Sequence, residues 1–290
     1  MNEQIYSHLK DIQWFPGHMH KARTEIAKVQ SEVDLFIEIL DSRIPASSMN
    51  PLIQSLRGDK PCIIVMSKPD LSDPDLTDEW SNFISTTFKC PVLVADLRKW
   101  PEIKRIPAIC KEEVSVLGRN RSRVLAMVIG IPNSGKSTLI NTLCERVVAK
   151  TGNQPALTRQ QQRIQIDNGF DLLDTPGLTW PKIVSPECGF HLAITGAIRD
   201  TVIHYQDIAL YALELLKHQH QDRLQRRYNI KNLERTSIEL LSEIGKRRGC
   251  LVKGGLVNLE QAGHILIQDI RSARLGRITW EFPHYYNARS

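Results

Sequence analysis

Short apolar runs and polar breaks alternate through the first 180 residues of the chain. Asp34-Leu-Phe-Ile-Glu-Ile-Leu40, Pro61-Cys-Ile-Ile-Val-Met66 and Pro91-Val-Leu-Val94 are rich in apolar residues and bounded by turn formers, so each predicts a buried strand. Val124-Leu-Ala-Met-Val-Ile129 predicts a fourth, and residues 163–166 and 170–173 two shorter ones. Helical spacing fills the gaps. Residues 20–30 place Ala22, Ile26 and Val29 on one face, and further helices are expected near 75–88, 102–117 and 138–144. Strands alternating with helices predict an α/β fold, a mostly parallel sheet covered on both faces. Beyond Gly177 the period becomes helical throughout. Ile208, Tyr211, Ala212, Leu215 and Leu216 form one stripe, and Ala262, Ile265, Leu266 and Ile270 another. Two domains follow, residues 1–180 and a small all-helical domain at 181–290.

The strand at 124–129 runs into Gly130-Ile-Pro-Asn-Ser-Gly-Lys-Ser-Thr138, which fits the G-x-x-x-x-G-K-[ST] phosphate-binding loop. Its glycines allow backbone N–H groups to converge on anionic oxygens. Lys136 supplies a point charge for the β- and γ-phosphates, and Ser137 a hydroxyl for Mg²⁺. The helix starting near Thr138 turns its N-terminus to the same point. Asn133, Ser134 and Gly135 complete the loop.

Asp174-Thr-Pro-Gly177 ends the last strand, 38 residues after Lys136. An Asp at a strand tip suits Mg²⁺, and the Gly177 N–H can approach a γ-phosphate. Thr158, in a loop between the two motifs, offers another hydroxyl to metal and γ-phosphate. Ser67-Lys-Pro-Asp70 fits the [N/T/S]-K-x-D loop that reads guanine. There Asp70 accepts from the ring N1–H and the exocyclic amine, and the Lys68 stem lies along the base. Adenine presents no such donor pair. With Ser67 and Pro69 these residues form the expected base-reading loop. Most GTPases carry that loop after the phosphate loop; here it comes first, which is the order of a circularly permuted G domain.

Charge and cysteine usage add context. The chain of 290 residues has net charge +6, and residues 181–290 hold 16 basic against 11 acidic side chains. The excess gathers as Arg223-Leu-Gln-Arg-Arg227, Lys246-Arg-Arg248 and Arg271-Ser-Ala-Arg-Leu-Gly-Arg277. Solvated helix faces and a nucleic-acid surface both account for such clusters. Six scattered cysteines without a C-x-x-C pair match a reduced compartment, and no apolar run approaches membrane-spanning length. A cytoplasmic protein without a membrane partner is expected.

Together these motifs, in this order, resemble the ribosome biogenesis GTPase A family along nearly the whole chain. Trp14-Phe-Pro-Gly-His-Met19, Asp41-Ser-Arg-Ile-Pro45, Thr195-Gly-Ala-Ile198 and Gly249-Cys-Leu251 carry the resemblance beside the nucleotide motifs. It implies a GTPase that binds GTP and GDP, matures the large ribosomal subunit and contacts its rRNA. It also implies a circularly permuted P-loop GTPase domain with a small helical domain, monomeric off the ribosome. The family pattern usually has Asn where this chain has Ser67, and a Gly downstream in the loop that is here Ala95-Asp-Leu-Arg-Lys99.

Leu178 follows Gly177, where Ras-type enzymes place the water-orienting Gln. The resemblance assigns that work to His18, whose neutral imidazole can accept from water; the alternative is that His18 packs the helix it opens. Asn133 is a candidate K⁺ ligand by the same resemblance, or a support of the loop's turn. Two further functions stay open: a non-hydrolysing GTP/GDP-sensing RNA-binding module, and a GTPase acting on another RNA.

Overall fold

The computed structural model describes residues 24, 26–118, 121–149, 162–177 and 185–287. Six strands form one sheet in the order β3-β2-β1-β4-β6-β5. They are β1 (Leu35–Asp41), β2 (Cys62–Ser67), β3 (Val92–Ala95), β4 (Val124–Gly130), β5 (Gln162–Asp167) and β6 (Phe170–Asp174). All but β5 run parallel, so five C-terminal strand ends share one edge. β5 pairs antiparallel with β6 because only two residues separate them, enough for a hairpin and too few for a crossover.

Strand alternation sorts the core into two faces. Leu35, Ile37 and Ile39 join Ile63, Val65, Ala126, Val128 and Leu172 on one side. Phe36 and Leu40 join Ile64, Met66, Met127, Ile129 and Trp80 on the other. Burial on both faces explains why these strands read as continuous apolar runs. From β1 the chain steps outward to β2 and β3, then returns to place β4 on the other flank of β1. That reversal puts a topological switch point between β1 and β4, where open α/β sheets bind ligands outside their carboxyl ends.

Some elements differ from the sequence pattern. The helix expected at 102–117 is two helices, Trp100–Ile103 and Ile106–Val116. Pro107 lies in the first turn of the second, where its missing N–H costs nothing. Two short helices after β1, Pro45–Ser48 and Pro51–Arg57, were not anticipated. Asn50 caps the latter by accepting from the Leu52 N–H at 3.0 Å.

Chain contacts divide the molecule into two compact units. One, residues 185–278, is helical: Pro186–Thr195, Tyr205–Gln219, Gln221–Tyr228, Ser237–Arg247 and Leu259–Arg271. Gly263 lets two of these helices approach, since a Cβ there would lie 2.5 Å from the Tyr205 carbonyl oxygen. Phe190 stacks on Tyr211 at 4.1 Å. The division differs from a single cut at 180/181, because the tail from Thr279 returns to the sheet unit. Its hydrogen bonds to residues 42–47 and 73–80 are the physical reason. No helix among the described residues is long and apolar enough to cross a membrane.

Candidate guanine-nucleotide site

The loops predicted to read base and phosphate leave β2 and β4, the two strands that flank β1. β2 finishes at Ser67, whose Oγ lies 2.6 Å from the Ser134 carbonyl oxygen and 2.9 Å from that of Leu40. One hydroxyl proton serves one of these acceptors at a time. The short serine therefore reaches the phosphate loop itself, a tie for which the usual Asn has more reach. Lys68 adopts a left-handed φ of 59°. Its Nζ donates to Asp41 Oδ2 at 2.7 Å and to the Asn133 carbonyl at 2.6 Å. Burial lowers the pKa of its ammonium while Asp41 opposes that shift.

The Leu71 N–H donates to the Lys68 carbonyl at 3.0 Å, closing a β-turn with Pro69 and Asp70 in its centre. Pro69 pre-sets the turn, and Asp70 stands exposed. Arg98 grips Asp96 through both oxygens, at 2.8 and 2.7 Å, and extends Nη2 to Asp70 Oδ2 at 2.9 Å. The Ala95–Lys99 loop thus supplies a guanidinium to the predicted base reader.

The phosphate loop leaves β4. Gly135 has φ 110°, and a Cβ there would meet Leu97 Cδ1 at 2.8 Å. Asn133 is also left-handed, at φ 58°. Ser134 is buried. Lys136 opens the helix Lys136–Leu143 and folds its Nζ back to the carbonyls of Ile131, at 2.7 Å, and Gly130, at 3.2 Å. Burial pulls its pKa down to about 8; Asp174 works against that fall and Lys68 with it. Ser137 and Thr138 follow in the first helical turn, half-buried.

Asp174 ends β6, buried and in register with Val128. The Thr175 hydroxyl donates to the Val128 carbonyl at 2.7 Å, fastening the turn to β4. A Cβ on Gly177 would lie 2.9 Å from the Pro132 backbone and 3.1 Å from Lys136 Nζ, so a side chain there would strike the phosphate loop. Ser67, Lys68, Pro69, Asp70, Asn133, Ser134, Gly135, Lys136, Ser137, Thr138, Asp174 and Gly177 therefore gather on one edge. His18, Thr158 and Leu178 lie outside the described residues.

Sequence patterns did not reveal the roles of Asp41, Arg43 and Arg98. Only the Asp41-Ser-Arg-Ile-Pro45 motif itself signalled two of them. The basic clusters of the helical unit also changed meaning. Asp269, buried on the helix Leu259–Arg271, accepts from Arg227 at 2.8 Å on each oxygen, Tyr228 Oη at 2.9 Å and Arg274 at 3.3 Å. Arg248 stands 3.9 Å away and covers the Tyr228 ring. Three stretches far apart in sequence thus meet at one carboxylate.

A phosphate loop at a switch point, with the base-reading loop on a strand earlier in the chain, defines a circularly permuted GTPase. Comparison with known proteins carries this further. The family model for 50S ribosome-binding GTPases matches residues 125–247. Ribosome biogenesis GTPase A of Priestia megaterium is 39% identical over 280 residues, 94% of this chain and 97% of that protein. Its namesake from Bacillus cereus is 37% identical over 282 residues, 95% of each. The crystal structure of GNP-bound YlqF from T. maritima shares the fold with TM-score 0.62 at 24% identity, over 91% of this chain and 98% of that one. The chain belongs to the ribosome biogenesis GTPase A family.

Proposed function

We propose that this GTPase of ribosome assembly reads GTP along the shared strand edge and hydrolyses it on the large ribosomal subunit. The carrying observation is the pair of 2.6 Å bonds, Ser67 Oγ to Ser134 O and Lys68 Nζ to Asn133 O, that tie the base-reading loop to the phosphate loop. A permuted chain needs such ties, because these loops are distant in sequence.

In this reading Asp70 accepts from the guanine N1–H and amine, and Lys68 lines the ring. Backbone N–H groups of residues 133–138 cradle the phosphates. Lys136 exchanges its two loop carbonyls for β/γ-phosphate oxygens, which suits a buried ammonium held by neutral acceptors. Gly177 brings an N–H to the γ-phosphate without a side chain in the way. The donors fit Mg²⁺: Ser137 hydroxyl and Asp174 carboxylate are hard oxygens, and Mg²⁺ commonly takes only one or two protein groups beside substrate phosphates. No group of three His, Cys, Asp or Glu among the described residues could hold a metal alone. The ion would supply charge neutralisation on the phosphates. Asn133 is the K⁺ candidate, Thr158 the further switch hydroxyl, and His18 the residue that orients water.

We assign the nucleotide work to residues 1–180 with the returning tail, and rRNA contact to the basic helical unit. The rRNA assignment is supported by the excess of 16 basic over 11 acidic side chains in residues 181–290. Hydrolysis measured in KCl, with and without isolated large subunits, tests the whole. Subunit-stimulated turnover is expected, whereas binding without turnover in either condition would favour a nucleotide-sensing module, the reading Leu178 motivates. For the base, Asp70→Asn should move preference from guanine toward xanthine nucleotides. Equal binding of ATP and GTP by the natural chain would sink the guanine assignment.

A further inference from the structure

We propose that Asp41 and Arg43, backed by the tail segment 279–282, are positioning residues for guanine binding that hold Lys68 between the base and phosphate loops. Asp41 is the last residue of β1, beside the switch point. It is 2% exposed, and Arg43 is 3% exposed. Arg43 donates Nε to Oδ1 at 2.9 Å and Nη2 to Oδ2 at 2.7 Å, and its backbone N–H also reaches Oδ1 at 3.1 Å. Lys68 Nζ takes a place on the same Oδ2 at 2.7 Å. One buried carboxylate is thereby shared by two cations. The second cation belongs to the base-reading loop.

A core ion pair needs only two members, and two apolar residues of similar volume often replace it without loss. The third member is what points to function. A free lysine side chain holds much rotamer entropy. Here Asp41 and the Asn133 carbonyl, on either side of the ammonium, have already restricted it. The left-handed backbone of Lys68 is sparsely populated for a non-glycine residue and persists when surrounding contacts determine it. Asp41 is such a contact. The stem of Lys68 is set in place before a base arrives, so binding need not order it.

The backing comes from the other end of the chain. The Trp280 N–H donates to the Arg43 carbonyl at 2.8 Å, and Thr279 Oγ1 to the Ser42 carbonyl at 3.3 Å. Glu281, buried, accepts from the Ser47 N–H at 3.1 Å and from the Ser47 hydroxyl. Its own carbonyl accepts from Trp80 Nε1 at 3.0 Å, fixing the segment to the sheet unit. The chain that returns after residue 278 therefore clasps the loop that holds Lys68. Contiguity alone does not establish coupling, so the test must measure coupling.

This inference rests on the proposed base-reading role of Lys68 and Asp70. The experiment is a double-mutant cycle on the full chain, with a fluorescent GDP analogue as probe: Asp41→Asn, Lys68→Met and both together. Each single variant should weaken GDP by about tenfold, and the double by little more than either alone. Glu281→Ala should weaken GDP about threefold in the natural chain and leave the Lys68→Met variant unchanged. A merely structural ion pair would lower the melting temperature while losses in affinity multiplied. Multiplying losses, or natural GDP affinity in Asp41→Asn, would overturn the proposal. Should Asp41→Asn fail to melt cooperatively, Arg43→Lys replaces it under the same criterion, since lysine keeps the charge and loses the two-pronged grip. Asp70→Asn in the same assay separates the two claims. If it fails to shift preference toward xanthosine diphosphate, the base assignment falls; if it shifts while the cycle shows no coupling, only this inference falls.

Discussion

The two units use their cations in opposite ways. At the strand edge, Lys136 is buried against neutral carbonyls of its own loop, and Lys68 divides its bonds between one carboxylate and one carbonyl. In the helical unit, arginines are matched to acids: Arg226 to Asp222, Arg227 and Arg274 to Asp269, Arg247 to Glu243 and Arg271 to Asp200. A carbonyl is a weak competitor for a phosphate oxygen, whereas a carboxylate is a strong one. On the proposed reading, the first region is arranged to exchange partners with a ligand. The second spends much of its formal charge on its own architecture, so net charge overstates what an RNA would meet.

The largest expected effect tests the first half of that contrast. Lys136→Ala removes the buried cation and should weaken GTP and GDP by at least about a hundredfold, the range seen when a buried, hydrogen-bonded charge loses its partner. Titration with a fluorescent nucleotide measures it. A loss under threefold would mean the ammonium serves the loop and not the phosphates. Next comes the second half. Asp269→Ala strips a shared acceptor from Arg227, Tyr228 and Arg274. Its carboxylate is buried but its arginines are partly solvated, so the expected cost is roughly 2 kcal/mol of helical-unit stability. Urea unfolding should register it with GDP affinity unchanged. If stability holds, the hub is ornamental and its arginines are free for RNA.

That contrast also explains which features were legible in the sequence. The phosphate loop, Asp174–Gly177 and Ser67–Asp70 were legible because backbone geometry and base chemistry demand fixed residues at fixed spacing. The five parallel strands were legible because burial on both faces leaves unbroken apolar runs. The short helices at 45–48 and 51–57 hid among prolines that read only as turns. Glu38 sat unremarked inside the run 34–40, although it is buried and its pKa is pushed up to about 7 by burial, with Arg57 opposing. Asp41, Arg43 and Arg98 were opaque as working residues because their partners lie 27 or 28 positions away, or at the far end of the chain. No local period records such pairs. The Asp269 hub was opaque for the same reason: its three basic stretches are separate in sequence and meet only after the helices pack.

A third expectation sharpens the charge argument. Reversing Arg247 and Arg248 to Glu should weaken association with isolated large subunits by about tenfold and flatten its dependence on salt, since each lost phosphate contact removes about one released counterion. Arg247 already faces Glu243 at 2.7 Å, so the reversal also sets like charges one turn apart. Arg247→Gln with Arg248→Gln separates the two causes. If the neutral pair binds as the natural chain does, the cluster is a solvated face, and the helical unit reaches rRNA elsewhere.

The smallest effect is a fraction of a proton, and it probes the waiting cation directly. With its pKa pulled down to about 8 by burial, Lys136 is charged below that pH in the free protein and neutral above it. The unfolded chain keeps the proton to a higher pH. Stability of the nucleotide-free protein should therefore rise with pH between about 8 and 10.5, where the unfolded state binds more protons. Nucleotide affinity should move the other way over the same window, because phosphate oxygens favour the ammonium and binding must restore its proton. At pH 8 the secondary phosphate ionisation is complete, so phosphate contributes no compensating release. Titration calorimetry of GDP in two buffers of different ionisation heat should show uptake of roughly half a proton at pH 8, falling toward zero by about pH 6.5. Lys68→Met, which removes a neighbouring charge that adds to the fall, should reduce the uptake without abolishing it. Uptake below about a tenth of a proton at pH 8 would mean that Lys136 is fully charged before the nucleotide arrives, and the strand edge would then differ from the helical unit in its partners alone.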